Sequence, residues 1–99
     1  MIEISEKPKI YNAKVKFSNL GFDQDNTTIW WQLGFDYEYG TAITKKVCLK
    51  KPDEIANLLN VLDLHSWEEL ARKFARIEVI GKQAVAIGNL IENKWLRIV

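Results

Sequence analysis

Few residues in this chain have chemical reach. There is one histidine, His65, and one cysteine, Cys48. A thiolate activated by an imidazole requires those two to meet. Their surroundings do not favour it: Cys48 falls in a strand-like stretch, where it reads as a small hydrophobe, and His65 lies between two helical stretches, where it reads as solvent-facing. Asp36 and Glu38 stand two apart on one face of an extended segment, as paired acid–base carboxylates would; a solvated acidic face fits the same pattern. Asp23 and Asp25 lie in G-F-D-Q-D-N, where Asx residues shape turns as readily as they hold a cation. No Cys, His or carboxylate spacing matches a metal site, and none of the five glycines falls in a phosphate-loop pattern. The expectation is a protein without catalytic residues, metal or cofactor, and therefore not an enzyme.

Binding chemistry is better represented. Lys14, Lys16, Lys45, Lys46, Lys50 and Lys51 form a candidate basic patch, and aromatic residues nearby, Trp30 among them, suit base stacking. A net charge of +1 weighs against nucleic acid as the main partner. Trp30 stands on an otherwise polar strand face with Gln32, Asp36 and Glu38. A tryptophan with an acidic rim is an interface anchor; it repels a phosphate backbone and can mimic one toward a basic protein. The leading expectation is therefore a protein-binding module using Trp30, Gln32, Asp36 and Glu38. The alternative is a nucleic-acid-binding accessory module using the six lysines.

The element that must carry both sites is the stretch T-I-W-W-Q-L-G-F-D-Y-E-Y, Thr28 to Tyr39. Its odd positions, Ile29 through Tyr39, are all apolar or aromatic, and its even positions are mostly polar or small. Period two over twelve residues predicts one long strand with a buried aromatic face. Before it, Asn12 to Leu20 alternates with Ala13, Val15 and Phe17 on one side and Lys14, Lys16 and Ser18 on the other. After it, Tyr39-Gly40 predicts a turn, and Thr41 to Lys50 a third strand. Met1 to Tyr11, around Pro8, reads as an edge strand or an arm.

The period changes at Pro52. Ile55, Leu58, Leu59 and Leu62 form one helical stripe, with Asp53 and Glu54 at its positive end. Ser66-Trp67-Glu68-Glu69 reads as a capping box opening a second helix, with Leu70 and Phe74 as an apolar pair. Ala75 to Val79, Gln83 to Ile91 and Trp95 to Val99 predict three further strands. The expected order is β-β-β-α-α-β-β-β, an α+β domain over residues 1–99 with a mostly antiparallel sheet packed on two helices. The expected core contains Trp31, Leu33, Phe35, Leu58, Leu59, Leu62, Ile77, Val79 and Ile87. No apolar run reaches membrane-span length, the N-terminus lacks a secretion signal, and a single cysteine suits a reducing compartment. A cytoplasmic protein with no membrane partner is expected.

Three motifs occur together: Leu20-Gly21-Phe22-Asp23 before the aromatic strand, Ser66-Trp67-Glu68-Glu69-Leu70 before a basic strand, and Ala86-Ile87-Gly88 followed by Trp95. In this order they resemble a group of small proteins of unassigned function encoded in bacteriophages and prophages. The resemblance spans roughly Ala13 to Trp95, and its motifs are structural. The chain departs from the group after the long strand, where D-Y-E-Y-G-T-A-I replaces a glycine- and aromatic-rich segment. The resemblance implies a bacterial host cell and a host protein as partner, with inhibition of a defence nuclease complex, the anti-CRISPR type, as one form. It assigns no functional residues.

Overall fold

The computed structural model describes residues 7–24, 27–51 and 53–98. Seven strands are present among them: β1 (Lys9–Phe22), β2 (Ile29–Tyr37), β3 (Gly40–Ile43), β4 (Val47–Cys48), β5 (Phe74–Ile80), β6 (Gln83–Gly88) and β7 (Trp95–Arg97), with one helix, α1 (Asp53–Val61), and a single-turn 3₁₀ helix at Trp67–Leu70. The long N-terminal strand arises because Lys9 to Phe22 carries no proline or internal glycine until Gly21. Of the stretch Met1 to Tyr11 expected as an edge strand or arm, Met1 to Glu6 lie outside the described residues and Lys9 to Tyr11 open β1; the readings of Asp25, Pro52 and Val99 also lie outside.

The α+β expectation is overturned. Strand accounts for 51% of the described residues, and five strands close into a barrel instead of lying open beneath two helices. β1 pairs antiparallel with β2 and with β5, β2 with β3, and β5 with β6. The ring closes where β3 meets β6 in parallel, through the pair Ile43 and Gln83 and the bond from the Ile43 N–H to the Lys82 carbonyl, 3.2 Å. Taken around the ring, the order is β1-β2-β3-β6-β5, with α1 inserted between the third and fourth barrel strands. That connectivity is the one of an OB-type Greek-key barrel.

Closure required three departures from simple alternation. First, β1 serves two partners: Lys9 to Lys14 face β5, and Lys14 to Phe22 face β2. It turns from one to the other at a bulge between Val15 and Phe17, the usual means of bending a strand. Second, the expected strand Thr41–Lys50 is split. β3 pairs with β2 along its whole length and also meets β6 at Ile43, the chain breaks from strand at Thr44 to Lys46, and β4 resumes on β2 opposite Trp30 and Trp31. Buried Thr44 stitches the corner: its hydroxyl accepts from the Leu33 N–H at 3.0 Å and donates to the Lys45 carbonyl at 2.9 Å. Third, the expected second helix is only one 3₁₀ turn. The Glu69 carboxylate accepts from the His65 N–H and the Ser66 hydroxyl, but the Ser66 side chain caps no helix N–H. Arg72 takes a positive φ of 63°, which sends the chain directly into β5. Phe74 is consequently a strand residue, 55% exposed, and not the partner of Leu70.

The interior holds Leu33, Phe35, Ile77 and Ile87 beside Ala13, Ala42, Ala75 and Ala84. Small residues alternating with large ones let so narrow a barrel fill without voids. A closed barrel has no open face, so a helix can reach this core only through an end. α1 does so with Leu58, and Leu62 follows directly after the helix; both are fully buried. Its N-terminus is held by the Glu54 carboxylate, which accepts from the Lys50 N–H at 3.1 Å. Of the expected core residues only Leu59 is partly exposed; the other eight are buried.

Candidate nucleic-acid interface

The outer face of β1 and β2 carries most of the residues singled out from the sequence. Register places Lys14 opposite Asp36, Phe17 opposite Gly34, Asn19 opposite Gln32 and Gly21 opposite Trp30. Phe17 was expected inside with Ala13 and Val15. The extra residue of the bulge, Lys16, shifts the phase by one, so Phe17 moves to the outer face and its ring covers Gly34. Alternation alone holds no sign of a bulge, which is why this aromatic was missed.

Trp30 is half-buried. Its ring rests against Gly21, its indole N–H donates to the Phe22 carbonyl at 3.0 Å, and the Lys46 ammonium stands 4.4 Å from the ring centroid. Backbone therefore fixes the ring, and a cation lies over it. Gln32, also half-buried, donates to the Thr44 carbonyl at 3.0 Å. Asp36 is exposed but engaged: it accepts from the Thr41 hydroxyl at 3.3 Å and lies 3.7 Å from the Lys16 ammonium. Glu38 is exposed in the turn between β2 and β3.

The six lysines do not form one cluster. Lys14 and Lys16 sit at the Asp36 end of β2, with Lys14 also 5.5 Å from the centroid of exposed Phe74. Lys45 and Lys46 form the β3–β4 corner near the Trp30 end, and Lys50 and Lys51 follow β4. Six residues of strand, about 20 Å, separate Trp30 from Asp36. The result is a track with cations at both ends and Trp30, Gln32 and Phe17 between them.

Cys48 lies beside Trp30 across β4 and is exposed, whereas His65 precedes the 3₁₀ turn; among the described residues no hydrogen bond joins them. Asp23 donates its N–H to the Thr28 carbonyl at 3.0 Å. No group of three or more His, Cys, Asp or Glu among the described residues could hold a metal ion. No described helix is long and apolar enough to cross a membrane. Comparison of the chain with protein-family models, with curated proteins and with solved structures finds no match.

Proposed function

We propose that the outer face of β1, β2 and the β3–β4 corner binds single-stranded nucleic acid without catalysis, in the cytoplasm of its cell. The observation that carries this reading is the interleaving of lysine and aromatic side chains: Phe74 and Lys14, Phe17 and Lys16, Trp30 and Lys46. Bases stack on aromatic faces irrespective of sequence while ammonium groups follow the phosphates. Strand order by itself carries no function; OB-type barrels bind oligonucleotides on the face of their second and third strands, which this face shares through β2. A net charge of +1 implies weak, salt-sensitive binding. The Lys16–Asp36 pair is exposed on both sides and costs little to open for a phosphate.

The decisive measurement is fluorescence anisotropy with a labelled oligothymidine strand and a matching duplex, titrated at low and physiological salt. Binding should prefer the single strand. Its logarithmic salt slope should be about −0.7 per phosphate contact, and Lys14→Glu with Lys46→Glu should flatten it. Absence of binding at low salt, or equal binding by the lysine variant, overturns the reading.

A second reading, the protein partner expected from the sequence, is favoured by a different observation. On the opposite side of the β1–β2 hairpin, Leu20, Phe22 and Ile29 are 51%, 60% and 38% exposed, and grouped exposed apolar residues mark protein contacts. In this reading the partner is a host protein, and the phage-type resemblance makes a defence nuclease complex the first to try. The acidic rim first assigned to that site is weakened by the engagement of Asp36. Phe22→Glu should then abolish partner capture and leave oligonucleotide binding intact.

A further inference from the structure

We infer that the cleft between β4, α1 and β7 is a binding site for a small organic anion with an apolar body. The cleft has a volume of about 500 Å³, within the range of small-molecule sites. Trp31, Val47, Leu96 and Ile98 form its apolar wall, and Lys45, Lys46, Lys50 and Arg97 contribute cations against the single carboxylate of Glu54.

Two features separate it from an ordinary surface groove. Trp31 lines the cleft although it is only 2% exposed, and its buried indole N–H has no hydrogen-bond partner among the described residues. A buried donor left unmade is costly, and each one in a folded protein calls for an explanation. The second feature is the state of the cations. Arg97 is held by Glu78 at 2.7 Å, and Lys46 lies over Trp30. The ammonium groups of Lys45 and Lys50 have no ion pair among the described residues. A ligand with a carboxylate, sulfonate or phosphate group suits the cleft: its anionic group is drawn by the free ammoniums, its hydrocarbon part covers Val47, Leu96 and Ile98, and it packs against the Trp31 ring, whose N–H it reaches only when the ring turns toward the cleft. Neutral ligands leave the lysines unanswered, and a bare inorganic anion leaves the apolar wall wet.

The site shares Lys45 and Lys46 with the nucleic-acid face but none of its aromatic residues, since Trp31 faces the opposite side of β2 from Trp30. The test uses 8-anilinonaphthalene-1-sulfonate as probe and N-phenyl-1-naphthylamine as its uncharged counterpart, with the intact folded chain. Expected are saturable one-to-one binding of the sulfonate, weaker binding of the amine, and movement of the Trp31 indole N–H resonance in a ¹H–¹⁵N spectrum. Trp31→Phe, which keeps a ring but removes the donor, should weaken the sulfonate by about tenfold or more, and Lys45→Glu with Lys50→Glu by several-fold. The proposal is overturned if the sulfonate does not saturate at one-to-one, if the Trp31 resonance stays still, or if the uncharged amine binds as tightly. Because the resonance is read on the wild type, a Trp31 variant that fails to fold leaves the proposal testable.

Discussion

Trp95 lays its ring over Gly88, the residue directly opposite it in β6. A Cβ added at Gly88 would stand 2.7 Å from one ring atom. The same relationship recurs twice on the barrel: Trp30 lies against Gly21, and Phe17 covers Gly34, each glycine again opposite its aromatic. An aromatic ring filling the gap above a strand glycine restores the packing that the missing side chain forfeits.

Gly88→Ala should therefore destabilise by overpacking, about 1–3 kcal/mol, read from the urea midpoint. Arg76 stacks 4.9 Å from the same ring, so the ring has little room to yield. At Gly40 nothing lies within 4 Å, but φ is +121°. Gly40→Ala should be costly through backbone strain alone, and Trp95→Ala in the same chain should rescue Gly88→Ala but not Gly40→Ala.

Phe35 is fully buried on the inner face of β2. Phe35→Ala should cost about 3–5 kcal/mol. A measured loss under about 1 kcal/mol would contradict its place in the core.

Asn89 should prove the most sensitive polar residue. Its amide donates to the Val61 carbonyl and the Asp63 carboxylate, and its oxygen accepts from the Ile91 and Glu92 N–H groups. It thereby joins the end of α1 to the loop before β7. Asn89→Ala leaves several part-buried groups unmatched, and the expected cost is about 2–4 kcal/mol. Asn89→Asp, which keeps the acceptor but sets a carboxylate against Asp63, should be comparably harmful at neutral pH and less so in acid.

The hydrogen bond from Lys94, then that from Asn89, holds the Asp63 carboxyl below its ordinary value of 3.8. A carboxyl lowered on folding contributes stability that is complete above its unfolded pKa and is lost as pH falls through the folded value. The same contact raises Lys94 above its ordinary 10.5, so that contribution is complete below 10.5 and fades as pH rises further. Both groups are exposed, and the effect is small. The stability difference between wild type and Asp63→Asn, from urea unfolding, should be level across neutral pH and shrink below about pH 4. A difference that grows in acid would reverse the assignment.

What was legible in the sequence was local. The period-two face from Trp31 to Phe35 and the stripe through Leu58 and Leu62 are read from neighbours, and both are buried as expected. What was not legible depends on partners far along the chain. No periodicity in Gly40 to Ile43 reveals that this strand, while paired with β2, also meets Gln83 on its other edge. The bulge that turned Phe17 outward leaves no mark on composition. The 3₁₀ turn kept its Ser66 and Glu69 contacts but not its length, because the chain must re-enter the barrel at Phe74. Of the candidate site residues, Trp30 and Gln32 lie on the outer face of β2, where their even positions put them. The Trp31 indole N–H, without a partner among the described residues, was invisible, since an orphaned group is a property of its surroundings.

The double duty of β1 sets a timetable for the chain as it is made. Lys9 finds Val79 roughly seventy positions later, a long loop to close, whereas β1 and β2 can pair at once. At about 5–20 residues per second the first half of β1 waits roughly 3–14 s for its second neighbour. During that interval its open edge can template the same edge on another nascent chain. Lys9 and Lys14 stand along that edge, and like charges facing each other across a mispaired edge repel. Newly made molecules are thus kept apart until β5 arrives, by side chains that the finished barrel then displays on its surface.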